Sequence, residues 1–306
     1  MEQAKLDDSM RYLYADTSVW NGLCDQEADP RALSLALANS GVTFALGFNA
    51  LFEMAKLFFS NSEKAPRGRG LLDYMKGYLA IRIPIVKENW ALLVEEALDA
   101  NREKRMESCF RDAGQYQQTI REVDKLLAGD VEPEAAQFFQ SRKAAARTSR
   151  SSIREHLEAR ADLTAALRAV REDALPDFLR MASLGRAGQH VLQNHLCQEF
   201  PRNLPGDLAG VARILLRSSR YRASHAMTRS DLYLNWRCAN RGSIRSDLPD
   251  DTFHVVSAAY CHVFVTMEAD QADVARHAIE GIQSIVCNHG DSISDRLVSG
   301  LGGSAD

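Results

Sequence analysis

Five acidic residues stand where strand-ending and helix-opening signals could bring them to one edge of a sheet. Asp16 ends the apolar run Tyr12-Leu13-Tyr14-Ala15, and Asp251 opens the helix-like segment 250–260. Glu53 lies on a polar stripe, Asn49–Glu53–Lys56–Ser60, at helical spacing. Glu268 follows the apolar strand Val263–Thr266, with Asp270 two residues later. Ligands of open α/β sheets bind beyond the carboxyl ends of the strands, which is where such acids would gather. Carboxylates brought together repel one another unless protons or a cation neutralise them. An oxygen-only donor set suits Mg²⁺ or Mn²⁺, and the chemistry it supports is metal-assisted hydrolysis.

Each acid also has a simpler explanation. Asp16 and Asp251 are good helix N-caps. Glu53 is spaced for an i,i+3 pair with Lys56 on a solvated face. Glu268 suits a surface loop. Their joint placement favours the metal site, because unrelated caps need not share one crevice.

The elements that must position these residues read as follows. Residues 12–15 and 42–46 form short buried strands, and 81–86 alternates with period two, its Pro84 marking an edge strand or a strand end. Helical patterns lie between them at 17–23, 31–39, 49–59 and 71–79. From 88 to 241 the chain becomes rich in Ala, Leu, Arg, Glu and Gln, and 135–171 predicts one or two long amphipathic helices. After Gly242 the α/β signal returns, with helices at 250–260 and 271–280 and strands at 263–266 and 282–286. The expected architecture is an α/β/α parallel-sheet domain, residues 1–87 and 242–290, interrupted by an all-α insertion, 88–241. A flexible Ser/Gly/Asp-rich tail is expected over 291–306.

The run Tyr-Leu-Tyr-Ala-Asp16-Thr-Ser18, followed by Asn-Ala-Leu-Phe-Glu53-Met-Ala-Lys, resembles the opening of a PIN-domain nuclease. Asp251-Thr-Phe-His254 through Thr266-Met-Glu268 resembles that family's second half. The resemblance covers roughly residues 9–87 and 245–287 and leaves the helical insertion unmatched. It implies a PIN-like parallel sheet and an Asp–Glu–Asp–Asp metal site. Asp16, Glu53 and Asp251 take the first three positions, and Ser18 is the hydroxyl supporting the first acid. The last acid commonly follows Thr-x, which selects Glu268; Glu replaces the usual Asp there, which leaves Asp270 as the other candidate. The implied activity is a Mg²⁺- or Mn²⁺-dependent nuclease, acting on single-stranded nucleic acid, RNA before DNA. In it Asp16 and Asp251 are the main metal ligands, and Glu53 and Glu268 complete the shell directly or through water. His254, one turn from Asp251, is expected in the core or behind the metal shell rather than on the phosphate. The alternative is a non-catalytic PIN-like module whose helical insertion binds a protein or RNA partner.

Charge is unevenly spread. The 306 residues carry a formal net charge of −4, yet residues 141–240 hold 17 Lys/Arg against 9 Asp/Glu. Arg142, Lys143, Arg147, Arg150 and Arg154 make one basic ridge, closely followed by acids. Arg213, Arg217, Arg220 and Arg222, with Tyr221, make a second, and this is the stronger candidate for contacting nucleic-acid phosphates.

Several classes are disfavoured. No G-x-x-x-x-G-K-[ST] or G-x-G-x-x-G motif supports nucleotide-cofactor chemistry. Asp16-Thr17-Ser18 lacks the Asp-x-Asp pair of an aspartyl-phosphate mechanism. The uncharged stretch 32–52 is broken by Asn39-Ser40-Gly41 and again by Asn49, which argues against a membrane span. Six scattered cysteines without a C-x-x-C pair and an acidic N-terminus point to a reducing, cytoplasmic setting.

Overall fold

The computed structural model describes residues 10–59, 63–130, 157, 161–199, 207–241 and 248–302. The first basic ridge and most of the long helices expected over 135–171 lie outside these residues.

Five short strands form one all-parallel sheet in the order β3-β2-β1-β4-β5. They are β1 (Arg11–Ala15), β2 (Val42–Gly47), β3 (Ile85–Val86), β4 (Val263–Thr266) and β5 (Gln283–Val286). The central strands are apolar on both faces, as a sheet covered on each side requires. Leu13, Ala15, Phe44, Leu46, Val263 and Val265 enter one core, while Tyr14, Ala45 and Phe264 enter the other. The chain builds outward from β1 through β2 to β3, then returns to the opposite side of β1 with β4 and β5. The direction of winding therefore reverses between β1 and β4, and the carboxyl ends of those strands flank the ligand crevice of such folds.

The core facing Leu13 is covered by α1 (Thr17–Asp25), α2 (Pro30–Ala38), α3 (Phe48–Phe58), α4 (Ala65–Ala80) and α6 (Ala113–Ala128). The core facing Tyr14 is covered by α5 (Asn89–Ala100) and by the helices after it. These are α7 (Ala161–Arg168), α8 (Leu175–Leu184), α9 (Arg186–Glu199), α10 (Leu208–Arg217) and α11 (Arg222–Arg241), followed by α12 (Leu248–Ala258) and α13 (Ala269–Ala278).

The helical region is thus continuous with the sheet rather than a lobe with its own core. Its first residues even extend the sheet: Val86 pairs with Phe110 in an antiparallel bridge, and Arg111 N–H donates to Ile85 O at 2.8 Å. This contact covers the β3 edge.

Two expectations change. The period-two run 81–86 yields a strand only at Ile85–Val86, because Arg82 turns the chain with φ of 60°. Its edge position agrees with Pro84. The expected flexible tail contains α14 (Ile293–Gly302), in which Ile293, Leu297 and Leu301 are buried. Their i, i+4, i+8 spacing forms one apolar stripe against α1 and α2.

Candidate functional site

Asp16 is the first residue beyond β1, and its backbone N–H donates to Val265 O at 3.0 Å. It does cap α1, accepting from Val19 N–H at 3.0 Å. The cap does not exhaust it. Ser18 Oγ donates to Oδ1 at 2.6 Å, and Thr266 Oγ1 lies 2.7 Å from Oδ2. Ser18 also accepts the Met267 amide at 3.0 Å, so the hydroxyl supporting Asp16 spans from α1 to the end of β4. The carboxylate is buried, with 3% of its residue surface exposed, and burial outweighs these hydrogen bonds to push its pKa upward.

Thr266 organises the opposite wall. Its Oγ1 accepts the Glu268 amide at 2.9 Å and lies 2.7 Å from Gln271 Oε1. Gln271 Nε2 in turn donates to the Asp251 carbonyl at 3.2 Å. The threonine two residues before Glu268 therefore links Asp16, the Glu268 backbone and, through Gln271, the helix bearing Asp251. One hydroxyl proton cannot serve both Asp16 and Gln271, so Thr266 Oγ1 donates to one of the two oxygens at a time.

Glu53 faces this wall from α3. Its Oε2 accepts from Thr17 Oγ1 and lies 3.3 Å from His254 Nε2. His254 is buried on α12, and its Nδ1 is 2.9 Å from the Tyr14 hydroxyl. Burial opposes a charged imidazole, but the Glu53 carboxylate, followed by Asp16 and Asp251, raises His254 to about 9. Burial likewise works against an ionised Glu53, and His254 with the Thr17 hydrogen bond outweighs it, holding that carboxyl below its ordinary range. The Glu53 side chain keeps 36% of its surface exposed, so the fixed carboxylate still opens to solvent. Gly47 makes this packing possible, since a Cβ there would stand 2.1 Å from the Tyr14 hydroxyl.

The predicted residues are thus brought together in part. Asp16 with Ser18, and Glu53 with His254, form two hydrogen-bonded sets that meet at the neighbouring residues Asp16 and Thr17, and His254 lies buried behind Glu53. Asp251 lies in the first turn of α12, three residues after the helix starts, so it is not the cap of that helix. It is half-buried and close enough to raise the His254 pKa. Glu268 occupies the N-cap position of α13 without a side-chain capping bond. Asp270 is committed elsewhere: Arg237 Nη2 of α11 binds its Oδ1 at 2.5 Å. This ion pair neutralises Asp270 from within the fold.

Among the described residues, no group of three or more His, Cys, Asp and Glu side chains stands in metal-binding array. Mg²⁺ is commonly held by one or two carboxylates together with waters and substrate phosphates. Asp16 and Asp251 fit that oxygen-only set, and Asp16 is a buried anion for which a cation would offset the cost of charge.

The second basic cluster divides. Arg213, Arg217 and Arg222 are exposed, but Tyr221 is buried and donates to Asp99 Oδ2 at 2.8 Å. Tyr221 is therefore turned into the fold, which corrects its place in the expected nucleic-acid surface. Arg220 pairs with the same Asp99 while keeping 60% of its side chain exposed. Next to it, Glu96 is fully buried and accepts from Ala223 N–H and Ser224 N–H, each at 2.8 Å, and from Ser224 Oγ and Tyr260 OH, each at 2.5 Å. Glu96 and Asp99, spaced i,i+3 on α5, secure the start of α11. Their partners lie more than 120 positions away in the chain, beyond the reach of local pattern.

Sequence reading also passed over Thr17, Tyr14 and Gln271. Thr17 and Tyr14 flank Asp16 in the same motif, so adjacency was the available signal. Gln271 gave none.

Comparison with protein-family models, with curated proteins and with solved structures gave no match. The fold itself is a mixed α/β protein with a five-stranded parallel sheet. Among the described residues no helix is long and apolar enough to cross a membrane.

Proposed function

We propose that the chain is a metal-dependent nuclease that hydrolyses phosphodiester bonds in single-stranded nucleic acid, RNA before DNA. The observation that carries this reading is Asp16, a buried carboxylate organised by Ser18, Val19 and Thr266 where the winding of the sheet reverses. In this reading Asp16 and Asp251 would hold Mg²⁺ or Mn²⁺, with Glu268 contributing directly or through water. The ion supplies charge neutralisation at the phosphate and activation of a water. Glu53, held by Thr17 and His254, would complete the metal shell from the α3 side, directly or through water. Ser18 and Thr266 keep Asp16 in one rotamer, and exposed Arg213, Arg217 and Arg222 attract the polyanion.

The test is incubation of the full chain with labelled single-stranded RNA and DNA in Mg²⁺ or Mn²⁺. Cleavage that EDTA stops, and that Asp16→Asn and Asp251→Asn abolish, supports the reading. Cleavage that persists in both variants sinks it.

A second reading is favoured by apolar side chains exposed on the helical region, Met181 at 62%, Ile214 at 48% and Trp90 at 42%. Here the chain is a non-catalytic module that binds a protein through those helices. Partner binding that Asp16→Asn leaves intact and Met181→Glu with Ile214→Glu destroys would support it.

A further inference from the structure

Lys56 has lost the partner that its spacing suggests. It follows Glu53 by three residues on the same face of α3, and an ordinary i,i+3 ion pair would use both charges. The Glu53 Oε2 is instead taken by Thr17 and His254. The Lys56 ammonium reaches Glu53 only as the weakest of the influences on that carboxyl, after burial, His254 and Thr17. It makes no ion pair with a carboxylate among the described residues. The other lysines of the described chain are either paired or fully exposed. Lys76 binds Asp124 and Lys87 binds Glu95, while Lys64, Lys104 and Lys125 point into solvent. Among the described lysines, Lys56 alone is half-buried and makes no ion pair.

A lysine half inside the fold, with no carboxylate among the described residues at ion-pair distance, keeps its three donors for an arriving anion. Lys56 sits beside the carboxylate that faces the crevice. A compact point charge with three donors is well suited to a phosphate oxygen and carries no base specificity. We propose that Lys56 is the phosphate-binding cation of this site, holding a backbone phosphodiester of a single-stranded nucleic acid on the Glu53 side of the crevice. The assignment rests on the nuclease reading for its substrate, but its own evidence is the unpaired charge.

The test uses the full chain, Lys56→Met and Lys56→Arg, with a fluorescein-labelled single-stranded oligonucleotide of RNA and one of DNA. Methionine keeps the length and helix propensity of lysine, so the melting temperature should stay unchanged. Cleavage is followed in Mg²⁺ or Mn²⁺, and binding is followed by anisotropy in EDTA over a salt series. The expected result is a roughly tenfold rise in KM for Lys56→Met with kcat nearly unchanged. The salt slope of binding should fall by about 0.7, one single-strand phosphate contact, and Lys56→Arg should recover most of the loss. If the protein cuts and Lys56→Met leaves KM and the salt slope unaltered, the assignment of Lys56 is overturned while the nuclease stands. If the protein does not cut, yet oligonucleotide binding depends on Lys56, the nuclease reading falls and the phosphate site survives. Absence of both cutting and Lys56-dependent binding overturns both.

Discussion

His254 Nε2 lies 3.3 Å from Glu53 Oε2, inside the protein and directly behind the carboxylate that faces the crevice. This pair joins α12, which follows the helical region, to α3, which precedes it. It is therefore both a fold contact and the part that fixes Glu53.

The pair should make stability depend on pH. His254 is raised from 6.5 to about 9, so its contribution is complete below pH 6.5 and disappears as pH rises through about 9. Glu53 is lowered, so its share is present above the ordinary carboxylate range and disappears as pH falls through its native pKa. In EDTA, urea unfolding should show stability declining between pH 6.5 and 9 by on the order of 3 kcal/mol. His254→Gln should flatten that decline; an unchanged slope in the variant would show that other groups cause it.

Asp16→Asn separates activity from folding. The amide keeps the size of the carboxylate and removes a buried charge whose pKa burial has raised. Cleavage should fall by roughly 100-fold or more. The melting temperature should hold or rise. A large drop in melting temperature would instead mark Asp16 as mainly a structural cap.

Glu96 should be among the most sensitive positions for stability. Glu96→Ala would leave two buried backbone N–H groups and two hydroxyls without their acceptor. The expected cost is about 3 kcal/mol, read as a shift in the denaturation midpoint. A loss under 1 kcal/mol would mean that water replaces the carboxylate.

Tyr221 and its arginine neighbours should separate cleanly. Tyr221→Phe removes the buried bond to Asp99 and should cost about 1 kcal/mol of stability without weakening oligonucleotide binding. Arg213→Ala with Arg217→Ala should weaken binding to all sequences alike and lower the salt slope, with little effect on stability. Weaker binding by Tyr221→Phe at full stability would instead place the Tyr221 hydroxyl on the nucleic acid.

Removal of residues 292–306 tests the closing helix. Ile293, Leu297 and Leu301 are buried, and their loss should cost roughly 1.5–3 kcal/mol for each side chain. A truncated protein as stable as the full chain would return this segment to the status of a tail.

Local pattern was enough to read the strands β1, β2 and β4, the helices that follow them and the ordered series Asp16, Glu53, Asp251 and Glu268. The reason is that apolar runs, helical periodicity and the residues next to a strand end are all short-range features. What pairs with what lay beyond that range. Asp270 and Glu268 are two residues apart and equivalent in the sequence, but Arg237 from a distant helix claims Asp270. Tyr221 stands among arginines in the sequence, yet Asp99, 122 positions earlier, takes its hydroxyl and turns it inward. Glu53 and Lys56 are spaced as a pair, yet His254, about 200 residues away, displaces the lysine. The chain's order of residues thus determined the elements and the acids at their ends. Only tertiary packing decided which charges are neutralised from within and which are left facing the crevice, because a buried charge takes whichever partner the fold brings nearest.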